Sequence, residues 1–525
     1  MTDPSKPKTG YRWTILALLF AATTINYVDR SVINVLAPTL QYKVFNWTDL
    51  QFAHLHMAFM TAYAIGMLTM GAIIDRFGTR FGYILAIGIW SLFGLLHAAV
   101  RPAFGFIGFA LCRFGLGFGE SGNFPAAQKT VAEWFPKKER ALATGLYNAG
   151  SNVGAVLAPA LIPLIVVAAD GHDWYRAFFM TFAFSLIWVI CWAIFYKRPE
   201  THPKISASEL EYIHSDQVVE NTERVPWSKV LPLRETWAFG LGKLTDAAWW
   251  FYLFWGGKFL FDQFGLNIKS LALPLIAIYL VADVGSVFGG WISSHFIKIG
   301  WPINKARKLT LLFCALCIMP VMFVTQVPTV FKIDESYFKA VSESTYRTEE
   351  VYTENGIEKV RKIDVKIDQE IVDSLRVLDG KTYKTAKELL EEIKTIIGPD
   401  NAKIMGTTLL GKARSDSLYW IAVLLIALAA GGHQAWSANL FTLVSDVFPK
   451  KATASVTGIG GMVGAVAGIV SSQLLGELLT TSGPSGYFVA FLCAGLVYIV
   501  TLGIAHTLMP KMTPLDDNLK RVAVS

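Results

Sequence analysis

The chain alternates long apolar runs with short polar breaks, and each run is long enough for a helix to cross roughly 30 Å of hydrocarbon. Runs from Trp13 to Leu36, Leu55 to Ile74, Gly82 to Val100, Phe104 to Trp134, Leu142 to Ala168 and Arg176 to Tyr196 predict six spans. After a polar stretch, runs from Thr236 to Phe261, Leu271 to Ile297, Leu309 to Val327, Leu418 to Val447, Ala452 to Leu479 and Gly486 to Leu508 predict six more. The expected fold is an all-α membrane protein, twelve transmembrane helices in two six-helix bundles. Its parts are a first bundle at 1–196, a cytoplasmic linker at 197–235, a second bundle at 236–327 and 418–510, and a cytoplasmic tail at 511–525.

Between the ninth and tenth runs the pattern changes. Over 328–417 both charge signs are frequent, and Ile363, Val365 and Ile367 alternate with Asp364, Lys366 and Asp368, a strand period. Leu389, Ile393 and Ile396 recur on one helical face before Gly398-Pro399, where a helix stops. A small extracytoplasmic α/β insert is expected there.

The halves also repeat. Glu133-Trp-Phe-Pro-Lys-Lys-Glu-Arg-Ala-Leu-Ala-Thr-Gly145 aligns with Asp446-Val-Phe-Pro-Lys-Lys-Ala-Thr-Ala-Ser-Val-Thr-Gly458, Pro136 falling on Pro449 at an unchanging offset of 313 residues. Both copies sit where a fourth span turns into a fifth. Two six-helix halves related in this way place a solute site between them, near the bilayer midplane, and rock about it.

Composition agrees: 53% of residues are hydrophobic and 17% charged, more apolar surface than a water-soluble core hides. The net charge of +7 does not point to nucleic acid, because the basic residues occupy short loops. Arg12, Arg76, Arg80, Lys197, Arg198, Lys305, Arg307, Lys308 and Lys511 all fall on one side, which predicts that side, and both termini, to be cytoplasmic. The five cysteines lie in apolar stretches with no ligand spacing, so neither a disulfide framework, a metal site nor a cofactor is expected.

Candidate chemistry lies in the charges stranded within spans, each costing about 2.5 to 3.5 kcal/mol near the bilayer centre. Asp29 and Arg30 interrupt the first span, and Arg113, Gly117 and Glu120 share one face of the fourth. Arg30, with Arg113 or Lys243, is expected to bind an anion through bidentate bonds to a carboxylate. Asp29 and Glu120 are expected to carry protons, so that solute and proton flow are linked. Tyr63, Asn148, Ser151, Asn152, Trp250, His433, Gln434 and Asn439 are further cavity candidates, aromatic rings suiting a sugar face and amides its hydroxyls. Permanent structural ion pairs are the bland alternative, most of all for Lys243 and Asp246 at i, i+3. At the end of the second span, Gly71, Asp75, Arg76, Gly78 and Arg80 read as a conformational latch rather than a substrate site.

At these residues the chain resembles the major facilitator superfamily: Gly71 to Arg80 is similar to its loop signature between the second and third helices, and Arg113 through Pro125 to its fourth-helix signature. Asn26 to Arg30, Glu133 to Arg140, Ala282 to Gly285 and Gly432 to Asn439 resemble the anion:cation symporter branch, and within it bacterial hexuronate transporters. The resemblance implies a monomer in the bacterial inner membrane, in contact with lipid, importing glucuronate or galacturonate with protons. It also implies that Asp29, Arg30, Arg113 and Glu120 carry coupling and carboxylate binding, with Tyr63 at a matching second-helix position. Met462 stands where galactonate-type members carry an asparagine, and the insert lies outside the common pattern.

Other functions fit less well. An organophosphate antiporter wants paired arginines in both halves, and the second offers only Lys243. A transporter-like sensor needs a cytoplasmic partner surface, which an extracytoplasmic insert does not supply. No HExxH, GxSxG or paired intramembrane aspartate motif points to an enzyme.

Overall fold

The computed structural model describes residues 10–100, 105–166, 173–215, 226–354, 357–516 and 518–521. The first half comprises α1 (Tyr11–Val35), α2 (Asp49–Phe77), α3 (Thr79–His97), α4 (Gly105–Glu120), α5 (Asn123–Trp134), α6 (Lys137–Ile165) and α7 (Tyr175–Phe195). Short helices α8 (Ala207–His214) and α9 (Trp227–Val230) lead to α10 (Arg234–Gly242), α11 (Asp246–Phe264), α12 (Ala272–Lys298) and α13 (Ile303–Ile318). Among the described residues, eight helical stretches are long and apolar enough to cross a membrane. The runs read as the fourth and seventh spans are not among them, and the second, a continuous helix from Asp49 to Phe77, includes side chains outside the described residues.

The fourth and seventh runs are each broken. The fourth run is not one helix: Ser121-Gly122 form a turn between α4 and α5, immediately after Glu120. The Ser121 hydroxyl donates to the Phe118 carbonyl at 2.6 Å, satisfying an acceptor that a broken helix leaves without a backbone partner. The seventh run is interrupted at Lys243–Thr245 by a 3-10 turn, and its second part, α11, carries Asp246, Lys258 and Asp262. The breaks fall where the intramembrane charges lie, the arrangement by which helix termini are brought to a solute site.

Residues 329–417 hold strands β1 (Thr329–Lys332), β2 (Thr345–Glu354), β3 (Ile357–Lys366), β4 (Thr382–Tyr383) and β5 (Arg414–Ser417), with helices α14 (Glu335–Ser342), α15 (Gln369–Leu375), α16 (Ala386–Ile397) and α17 (Pro399–Leu410). The sheet order is β4-β1-β5, all antiparallel, and β2 and β3 form a separate antiparallel pair. Thr385 and Glu388 form a capping box at the start of α16, and Gly398, with φ of +80°, ends it in a backbone region that L side chains avoid. Phe331, Ile333, Phe338, Leu389 and Ile393 form the insert's own core, which also takes in Phe261 of α11. The chain closes with α18 (Tyr419–Val447), α19 (Lys450–Ser482) and α20 (Gly486–Leu508).

The sequence repeat has a backbone counterpart. Phe135 and Phe448 both end their helices in extended conformation, and Pro136 and Pro449 both open the next one with nearly the same dihedrals (φ −61°, ψ 153° and φ −62°, ψ 149°). Proline suits that position because it has no N–H to leave unpaired. The start of α1 and the C-terminal tail meet the linker on one face: Arg12 pairs with Glu209 at 3.1 Å, and Arg521 with Glu235 at 2.7 Å. The insert covers the opposite face.

Candidate substrate site

Asp29 and Arg30 are consecutive on α1, so their side chains leave the helix about 100° apart and meet different neighbours. Asp29 is buried between α1 and its neighbours in the first half, with Ser185 of α7 at 3.5 Å. Arg30 turns toward α4 and α2: both Nε and Nη2 lie 2.8 Å from Glu120 Oε2, and the guanidinium sits 5.0 Å from the Tyr63 ring centre and 5.3 Å from that of Phe59. Asn26, one turn earlier, accepts from Nη2 at 3.3 Å. Desolvated guanidinium and carboxylate stabilise one another only when close and hydrogen-bonded, which this geometry satisfies.

Arg113 is in a different condition. It is wholly buried, its guanidinium stands 4.7 Å from the Phe59 ring centre, and none of its three side-chain nitrogens has a hydrogen-bond partner among the described residues. The shared helical face in α4 pointed to Arg113 beside Glu120, but the carboxylate is taken across the helix interface by Arg30. Gly117, between them in sequence, lets the two helices approach: a Cβ there would collide with the Phe59 carbonyl of α2. Two guanidiniums and two carboxylates thus share a buried region, with Arg113 and Glu120 Oε1 lacking hydrogen bonds among the described residues.

Neighbouring polar groups add to this. His56 of α2 is fully buried, has no partner on either ring nitrogen among the described residues, and stacks 4.4 Å from Phe254 of α11 in the other half. The side chain of Asn34 and the Tyr252 hydroxyl are likewise buried and unpartnered. An unpaired buried polar group costs about 1 to 3 kcal/mol, so such a set would be stabilised by a polar partner. His56 lies one helical turn before Phe59 and two before Tyr63, so the three share one face of α2, and that spacing is the signal that would have found it.

The second-half candidates divide. Lys243 pairs with Asp246 at 2.6 Å and stands over Phe441, the structural pairing weighed above. His433 is held by Tyr498 at 2.7 Å and lies flat against Trp249, and Trp250 stacks on Phe254 at 5.2 Å. Asn439 donates to the backbone carbonyls of Gly289 and Ala435 at 2.8 and 2.9 Å, so its amide nitrogen joins helices rather than facing a solute. Gln434, Asn148, Ser151 and Asn152 are half-buried; Ser151 donates to the Asn148 carbonyl.

At the latch, Gly78 links α2 to α3 with φ of +81°, Arg80 donates to the Ala193 carbonyl at 2.6 Å, and Arg76 is exposed. Gly71 has open space around it, and the side chain of Asp75 lies outside the described residues. Glu133 holds helices together beside this turn, accepting from Thr79 at 2.6 Å and from Tyr196. Its repeat partner Asp446 pairs with Arg307 at 2.9 Å.

Residues 19–333 match the family model described as Major Facilitator Superfamily. The chain is 35% identical over 314 residues to the "Galacturonate transporter" of Dickeya chrysanthemi, covering 58% of this chain and 89% of that protein. It is 32% identical over 306 residues to the "Hexuronate transporter" of Escherichia coli K12, covering 57% and 69%. A solved bacterial homolog of the human lysosomal transporter Spinster, in an inward-facing and unoccupied conformation, superposes with a TM-score of 0.63 at 16% identity, over 95% of this chain and 97% of that one. The two interrupted helix bundles, the repeated Phe-Pro-Lys-Lys turn and the match across 19–333 lead to one conclusion: this chain belongs to the Major Facilitator Superfamily.

Proposed function

We propose that the chain imports a sugar acid together with protons, that the solute is a hexuronate such as glucuronate or galacturonate, and that it works as a monomer in a bacterial inner membrane with both termini cytoplasmic. The observation that carries the reading is Arg113: a wholly buried guanidinium with no hydrogen-bond partner among the described residues, beside an Arg30–Glu120 pair. A cation in that condition is costly unless an anion arrives to meet it. The relatives named as galacturonate and hexuronate transporters support a carboxylate-bearing sugar as that anion.

Charge balance gives the coupling. Arg30, Arg113, Asp29 and Glu120 sum to zero when all are ionised. A monoanionic solute added alone leaves a net negative charge in low dielectric, where interactions are far stronger than in water. One proton restores neutrality. A solute carboxylate on Arg113 adds its negative charge beside the Arg30–Glu120 pair, and Glu120, whose Oε1 has no hydrogen-bond partner among the described residues, takes up that proton. Binding of solute and proton therefore favour one another, reciprocally. Asp29, turned toward Ser185 rather than Arg30, serves as a second acid within the first half.

Competition tests the solute class. Uptake of labelled galacturonate into proteoliposomes is expected to be blocked by unlabelled glucuronate and spared by glucose, which lacks the carboxylate. Strong competition by an aldonate or aldarate with none by glucuronate would replace the hexuronate by that acid.

A further inference from the structure

A second buried charge cluster lies away from the first, on the face that carries the insert. Asp49, the first residue of α2, receives Lys258 of α11 at 2.9 Å on Oδ1 and Lys387 of insert helix α16 at 2.6 Å on Oδ2, while Gln41 donates to it at 2.7 Å. Lys258 also pairs with Asp262 one helical turn on. Asp262 accepts from Tyr42, just beyond α1, at 2.6 Å and from Tyr487 of α20 at 2.9 Å. Asp49, Gln41 and Tyr42 belong to the first half; Lys258, Asp262 and Tyr487 belong to the second. Lys387 belongs to neither bundle.

We propose that the insert is a bolt across the two halves: Lys387 supplies the charge that neutralises their junction, and the insert thereby holds this face of the transporter shut. The arithmetic is local. Without Lys387 the buried group of Asp49, Lys258 and Asp262 carries one excess negative charge; with it the sum is zero. An uncompensated charge in such a place costs far more than a surface one. The insert is also anchored apolarly on both sides of the junction. Phe261 of α11 is part of its core, and Tyr42, stacked on Phe261 at 5.3 Å, packs against that core from the first half.

The helices behind the bolt are closed as well. His54 of α2 meets Gln473 of α19 at 2.9 Å, and Gly476 lies against Asp49, Leu50 and Ala53, with no room for a Cβ. Opening this face separates α2 from α19 and must break the Lys387–Asp49 and Lys258–Asp49 pairs and the Tyr42–Asp262 bond together. The insert therefore biases the alternating-access equilibrium toward the state open on the face where the termini lie. It does so by differential contact, which is the requirement for shifting a conformational equilibrium.

The test uses the full chain in lipid nanodiscs and amide hydrogen exchange. In Lys387→Glu, exchange is expected to quicken about five- to thirtyfold over residues 39–50 and also over 470–478 of α19, a range set by one to two kcal/mol of lost closure. Residues 386–397 should keep wild-type protection, and Lys387→Arg should behave as wild type throughout. The 470–478 segment decides the matter, because neither Gln473 nor Gly476 touches Lys387 and only separation of the halves exposes them. Unchanged exchange there, with 386–397 protected, would overturn the proposal. Should Lys387→Glu unprotect 386–397 itself, Lys387→Gln, of similar length and neutral, is measured in its place against the same criterion.

Discussion

Arg113→Ala is expected to weaken solute binding at least about thirtyfold, the effect of removing one partner of a buried, hydrogen-bonded charge pair worth 2 kcal/mol or more. Arg113 is the natural site of the largest effect. Arg30 already spends its Nε and Nη2 on Glu120, so a solute reaching Arg30 must displace a carboxylate. A solute reaching Arg113 displaces nothing. Arg113→Lys keeps the charge but loses the fork that grips a carboxylate with two parallel bonds, and should fall between alanine and wild type. Binding measured by isothermal titration with glucuronate separates these outcomes. If Arg113→Ala binds as wild type while Arg30→Ala does not, the carboxylate sits on Arg30 and Glu120 is its competitor outright.

Glu120→Gln is expected to divide binding from coupling. Glutamine keeps the shape and one acceptor for Arg30 but has no charge to lose, which mimics the protonated acid. The variant should bind solute at least as well as wild type and exchange labelled for unlabelled solute across the membrane. It should also lose all accumulation above equilibrium when only a pH gradient is imposed. Exchange and accumulation measured on the same proteoliposomes check both halves of the expectation. Undiminished accumulation would remove the proton from Glu120 and leave Asp29 as the acid to test.

The chain disclosed its ionisable residues more readily than their pairings. Arg30, Arg113 and Glu120 stand out because charge in an apolar run is costly, and no alternative explanation for it is cheap. Which carboxylate meets which guanidinium depends on how α1 crosses α4, and sequence spacing within α4 carries no record of that. Hence Glu120 reads as a neighbour of Arg113 and is found on Arg30. Asn439 illustrates the opposite limit: an amide in a span reads equally as a ligand group or as a strap between helices, and its donors go to backbone carbonyls. Lys258 and Asp262 escaped notice because charges near the end of an apolar run resemble an ordinary membrane boundary. Their i, i+4 spacing was the available clue. The breaks in the fourth and seventh spans were hidden for a related reason, since Gly-Glu-Ser-Gly and Gly-Lys-Leu-Thr are short enough to be read through.

A buried cluster that stays neutral only when solute and proton enter together has a direct signature in uptake. Proteoliposomes holding the wild-type protein are given labelled glucuronate with the outside more acidic than the inside by about one pH unit. One proton per monoanion predicts accumulation approaching about tenfold, since each such factor corresponds to 1.4 kcal/mol, with no dependence on an imposed membrane potential. Equal filling with and without the pH gradient, or accumulation driven by potential alone, would contradict it.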